Sequence, residues 1–112
     1  MKEKSPMQNK KEIQKRIAGK PIVVRTLIQD AFQYFVDGDI DTSKEIIRDC
    51  VVGTIGWKSI AETTGINEKS IIRMFSKTGN PSITNYSAVM CALANQNNYR
   101  VKLSVLQKKQ AS

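Results

Sequence analysis

Apolar positions recur along most of this chain with a helical period. Leu27, Ile28, Ala31, Phe32 and Phe35 share one face of a helix predicted over Thr26–Val36, and "DGD" (Asp37–Asp39) stops it. In "DTSKEIIRDCVVGTIG", Thr42 and Glu45 have the spacing of a capping box. Ile46, Ile47, Cys50 and Val51 form the stripe behind it, and Gly53 and Gly56 end that helix. Two short helices are predicted at 57–64 and 68–76, inside "WKSIAETTGINEKSIIRMF". The turn-rich "KTGNPS" follows, after which Ser82 is placed to cap a last helix with Ile83, Tyr86, Val89, Met90 and Leu93 inward. The polar run "NQNN" ends it.

The period then changes. "YRVKLSV" alternates strictly, with Tyr99, Val101, Leu103 and Val105 on one side and Arg100, Lys102 and Ser104 on the other, which predicts a strand over about 99–106. A strand needs a ladder partner, and "PIVVR" (Pro21–Arg25) is the one other candidate. Either those two pair, or the strand meets its twin across a two-fold axis. We favour the twin, which gives a homodimer; an extended tail packed on the core is the alternative. The expected fold is all-α, with five helices and this C-terminal strand.

Residues 57–75 meet the steric demands of a helix-turn-helix unit. Ala61 is the small residue where the second helix crosses the first, and Gly65 supplies the turn. Ile60, Thr64, Ile66, Ile71 and Met74 take the inner positions, and Asn67 is placed to cap the second helix. Left outward are Asn67, Glu68, Lys69, Ser70, Ile72 and Arg73, the candidate base contacts. Arg73 or Lys69 suits guanine O6/N7, Asn67 adenine or a phosphate, Glu68 cytosine N4, and Ile72 a thymine methyl. Lys58, Ser59, Ser76 and Lys77 flank this face as candidate phosphate contacts. An ordinary helical hairpin with a solvated charged face would show much of the same pattern.

Charge strengthens the nucleic-acid reading. The net charge is +8, distributed as +5 over residues 1–20, −3 over 21–56, +2 over 57–80 and +4 over 81–112. We divide the chain into a basic mobile arm, 1–20, and a single domain, 21–112, as 112 residues allow. The arm could track the DNA backbone or enter a minor groove. Histidine is absent and only Cys50 and Cys91 are present, so a metal site or a histidine-based catalytic set is not expected, nor is a cofactor. Both cysteines fall in apolar stretches and read as buried hydrophobes. "GTIGWKS" lacks the spacing of a phosphate-loop lysine motif, so an enzyme is the weakest option. No apolar run reaches the roughly 18 residues of a membrane span, and the polar start shows no signal peptide, so the expected location is the cytoplasm.

"SIAETTGINEKSIIRMFSKTGNPSITNYSAVMCALANQNNYRVKLSV", preceded by "DGD" and a helix, resembles the addiction-module antidote proteins. These are HigA-like antitoxins with a phage-repressor-type helix-turn-helix domain. The resemblance covers about residues 30–106 and is carried by Ala61, Thr64–Asn67, Ile71, Met74–Ser76, Gly79–Ser82, Ala92–Leu93 and Leu103–Val105, with "GNPS" as its most specific mark. It implies a repressor that binds operator DNA as a dimer, autoregulates its operon and neutralises a RelE-like ribonuclease toxin. This chain departs from the family pattern in "ANQNNY" (Ala94–Tyr99), in its longer basic start and in Met74–Phe75. The acidic stretch Asp30–Asp49 would suit a basic nuclease. A phage or plasmid regulator without a toxin, and a protein-interaction module whose helix-turn-helix no longer binds DNA, are the competing readings.

Overall fold

A computed structural model describes Glu12, Ile17 and residues 20–109. Among these lie five helices and no strand: α1 (Pro21–Val36), α2 (Ile40–Gly53), α3 (Gly56–Thr64), α4 (Glu68–Met74) and α5 (Ile83–Gln96). The basic mobile arm read into residues 1–20 lies outside the described residues except at Glu12, Ile17 and Lys20, of which Ile17 is buried in the core.

Helix α1 begins five residues before the apolar periodicity suggested, because "PIVVR" is helical. Proline at the first helical position has the φ a helix needs and lacks an N–H that would have no partner there. Helix α2 is capped by Asp39 rather than by Thr42: the Asp39 carboxylate accepts from the Thr42 backbone N–H at 3.2 Å and from its hydroxyl at 2.8 Å. Ser82 does cap α5, accepting from the Asn85 N–H at 3.1 Å.

The core gathers Ile28, Ala31, Ile47, Cys50, Val51, Ile60, Ile71, Phe75, Val89 and Leu93. Through it runs an aromatic row: Phe35 meets Tyr86 at 4.9 Å between ring centroids, Tyr86 meets Phe75 at 5.2 Å, and Phe75 meets Trp57 at 5.7 Å. This row ties α1, α5, the end of α4 and α3 together by tilted ring contacts. A polar link crosses the same centre. The Tyr86 hydroxyl donates to Ser43 Oγ (2.6 Å), which donates to the Ala31 carbonyl (2.8 Å). Cys50 is fully buried, and burial, aided by the Asp49 charge, pushes its thiol up to about 12. Cys91 is exposed instead, and so is Ile83, which lies 67% open in the first turn of α5.

The predicted strand is corrected. Residues 101–109 have no regular structure and pair with no ladder partner, because the one other candidate strand became the first turns of α1. Residues of "ANQNNY" form the last turn of α5 and its closing motif. Asn98 takes φ 64°, its N–H reaches the Asn95 carbonyl (3.0 Å), and the Tyr99 N–H reaches that of Ala94 (2.8 Å). Of the proposed dimer strand, Tyr99 and Val101 pack against the core, whereas Leu103 and Val105 are 70% and 99% exposed.

Candidate nucleic-acid interface

Helices α3 and α4 follow one another through a turn at Gly65. At the end of α3, Gly65 adopts φ 76°, a left-handed conformation that a side chain makes costly, and its N–H closes on the Ala61 carbonyl at 2.9 Å. The Thr64 hydroxyl donates back to Ile60 O (2.8 Å) and accepts from the Ile66 N–H (3.3 Å), which fixes the exit from the turn. Asn67 then caps α4 by accepting from the Ser70 N–H at 3.1 Å. Ile71 and Phe75, both fully buried, anchor the inner side of α4.

That anchoring decides what faces out. Glu68 with Ile72, and Lys69 with Arg73, form two neighbouring exposed rows on α4, because residues four apart stack on a helix. Ile72 is 44% exposed, less than Ile22 (68%) or Ile83 (67%), so what sets it apart is its place beside Glu68, Lys69 and Arg73 and not its exposure. The structure brings Asn67, Glu68, Lys69, Ile72 and Arg73 onto one accessible surface, while Ser70 sits half-buried at its margin.

Two candidates are engaged inside the protein. The Ser59 hydroxyl donates to Gln96 Oε1 of α5, and the Ser76 hydroxyl donates to the Arg73 carbonyl at 2.7 Å. A phosphate oxygen only accepts, so each hydroxyl would first have to release its internal partner. Lys58 and Lys77 remain exposed cations beside the α3–α4 unit. For Asn67 the cap occupies the side-chain oxygen, which leaves its amide group to donate and favours a phosphate over a two-bond adenine contact.

Sequence reading missed the residues that hold α4 from below. The backbone carbonyls that follow α4 turn inward onto α2. Arg48 Nη1 donates to Phe75 O at 2.6 Å, and Lys44 Nζ reaches the carbonyls of Ser76, Lys77 and Gly79 at 3.0, 3.5 and 2.5 Å. Lys44 is only 3% exposed. Gly79 makes this loop possible, since a Cβ there would overlap the Arg73 and Met74 carbonyl oxygens. On the other flank, Gln96 clasps α3 by donating to Thr63 Oγ1 and to the Ser59 carbonyl (3.3 Å). Nothing local in the sequence signals these contacts, whose partners lie some 30 residues away.

No family model matches the chain, and no match was found among curated proteins or solved structures. Among the described residues, no cluster of histidine, cysteine, aspartate and glutamate side chains is built to hold a metal ion, and no helix is long and apolar enough to cross a membrane.

Proposed function

We propose that the chain is a sequence-specific, double-stranded-DNA-binding transcriptional repressor, and that it serves as the antitoxin of a toxin–antitoxin module. The observation that carries the DNA reading is α4 itself. It is a short helix pinned by Ile71 and Phe75, joined to α3 through a left-handed Gly65, and it presents Lys69, Arg73, Glu68 and Ile72 together to solvent. Donors, an acceptor and an apolar group on one exposed helix face are what reading base edges in a major groove requires. The net charge of +8 supplies the attraction to phosphate.

A homodimer is supported by the apolar side chains that one copy leaves open. Leu103, Val105 and Leu106 are 70%, 99% and 84% exposed, and Leu103 and Leu106 line one groove with the 60% exposed Val36. The toxin half of the reading rests on the quoted likeness, above all "GNPS", and the RelE-like ribonuclease is the partner it implies.

A selection of genomic DNA fragments at near-physiological salt tests this, because that salt suppresses most nonspecific binding. An enriched inverted repeat beside the gene, lost on Arg73→Ala, is the expected result. No enrichment by the wild-type chain would leave α3 and α4 as a protein-binding element.

A further inference from the structure

We propose that Lys44 is a positioning residue for the outward face of α4, acting through a carbonyl cage that its buried ammonium fills. The inference rests on the reading of α4 as the base-contacting helix. With seven residues, α4 is well below the length of about 12–15 at which an isolated helix becomes even marginal in water. Its direction is therefore set by its inner anchors and its two ends. Asn67 fixes the first end.

At the second end, Ser76 caps the Arg73 carbonyl, and the four carbonyls that follow, those of Phe75, Ser76, Lys77 and Gly79, are gathered by Arg48 and Lys44. These two cations lie four apart on α2, hence on one face. An ammonium has three N–H donors, and Lys44 finds three acceptors. Burying a charge is costly unless its hydrogen bonds are made, and the other buried positions of the same helix hold Ser43, whose hydroxyl is fully bonded, and the apolar Ile47, Cys50 and Val51. An apolar side chain of equal length at position 44 would fill the space and leave those carbonyls without a donor. Cations at a helix C-terminus also suit its dipole.

The connection to the reading face is short. The Arg73 carbonyl accepts from the Ser76 N–H (3.2 Å) and hydroxyl (2.7 Å), and the Ser76 carbonyl accepts from Lys44. A shift of the loop is thereby a shift of the backbone that carries Arg73. The base of the device is rigid, since Ser43, beside Lys44, is locked between Tyr86 and Ala31.

The test compares wild type, Lys44→Met and Arg48→Met by amide hydrogen exchange of the free chain and by affinity for the selected duplex and a scrambled one. Lys44→Met should stay folded, with the Phe75, Ser76 and Gly79 amides exchanging about tenfold faster and those in the middle of α5 unchanged. Its affinity for the selected duplex should fall about tenfold, with binding to the scrambled duplex unaltered. Arg48→Met, which frees Phe75 O alone, should move both readouts the same way by less, and it decides the matter if Lys44→Met does not fold. Unchanged exchange at those amides overturns the cage. Faster exchange with undiminished discrimination between the duplexes overturns the positioning role. If the wild-type chain binds both duplexes alike, the DNA reading fails and the positioning role falls with it, while the exchange rates still report separately on the cage.

Discussion

Helix α4 and the segment from Tyr99 to Lys109 are both short, and both carry apolar side chains between cations. Helix α4 is held throughout: Asn67 caps its start, Ile71 and Phe75 are buried beneath it, and Lys44 and Arg48 collect the carbonyls after it. The C-terminal segment is held only where it begins. Tyr99 donates its N–H to Ala94 O and its hydroxyl to Pro21 O (3.1 Å), Val101 is half-buried, and from Leu103 onward the apolar groups lie open. The difference teaches that apolar content does not by itself give a segment regular structure or bury it. Both follow when its backbone groups find internal partners and its side chains find a cavity.

The contrast can be broken most forcefully at Phe75. Phe75→Ala should cost about 4 kcal/mol in urea unfolding, since it empties the centre of the aromatic row; a loss below about 1 kcal/mol would mean that α4 is not anchored there. The packed body should also show an alkaline weakness. The Cys50 thiol is raised in the fold to about 12 from 9.0, so above pH 9 the unfolded chain releases a proton that the folded chain retains. Stability therefore falls with rising pH, by about 1 kcal/mol between pH 9 and pH 10. Unfolding measured across that range should show the decline in wild type and a shallower one in Cys50→Ala. Tyr86, raised by burial, adds a loss of the same sign at still higher pH.

Asn67→Ala should cost about 1 kcal/mol, and Asn67→Asp should restore most of it, because only the capping oxygen is needed. The smallest effect belongs to the C-terminal segment. Leu106→Ala should change the stability of the monomer by less than about 0.5 kcal/mol, and sedimentation should show weaker self-association if that apolar strip meets a second copy.

What was legible in the sequence follows the same division. Gly65, Asn67 and Ser82 were readable because a left-handed turn and a capped N–H depend on neighbours within three or four residues. Pro21–Arg25 was ambiguous, since five residues with β-branched side chains fit a strand or a first helical turn, and only docking on the core decides between them. Thr42 and Asp39 are both competent caps, and the one whose backbone leaves the helix wins. Ile83 keeps the helical spacing of inward residues but lies exposed in the first turn of α5, whereas Cys91, read as buried from its apolar neighbours, is out of phase with the inward face and exposed. Lys44 and Arg48 were hidden for the opposite reason. A cation on an amphipathic helix reads as solvated until distant carbonyls are seen to converge on it. Strand and dimer, likewise, are pairing statements that a single chain's alternation does not contain.

The most direct test of the account sets Arg73→Ala against Lys77→Ala, with affinities for the selected duplex and a scrambled duplex measured over a series of salt concentrations. If the outward face of α4 reads bases, Arg73→Ala costs roughly 1–3 kcal/mol on the selected duplex and little on the scrambled one. Lys77→Ala should then weaken both alike and lower the salt slope by about one. Equal losses on both duplexes from Arg73→Ala, or no loss at all, would contradict the claim that this helix reads sequence.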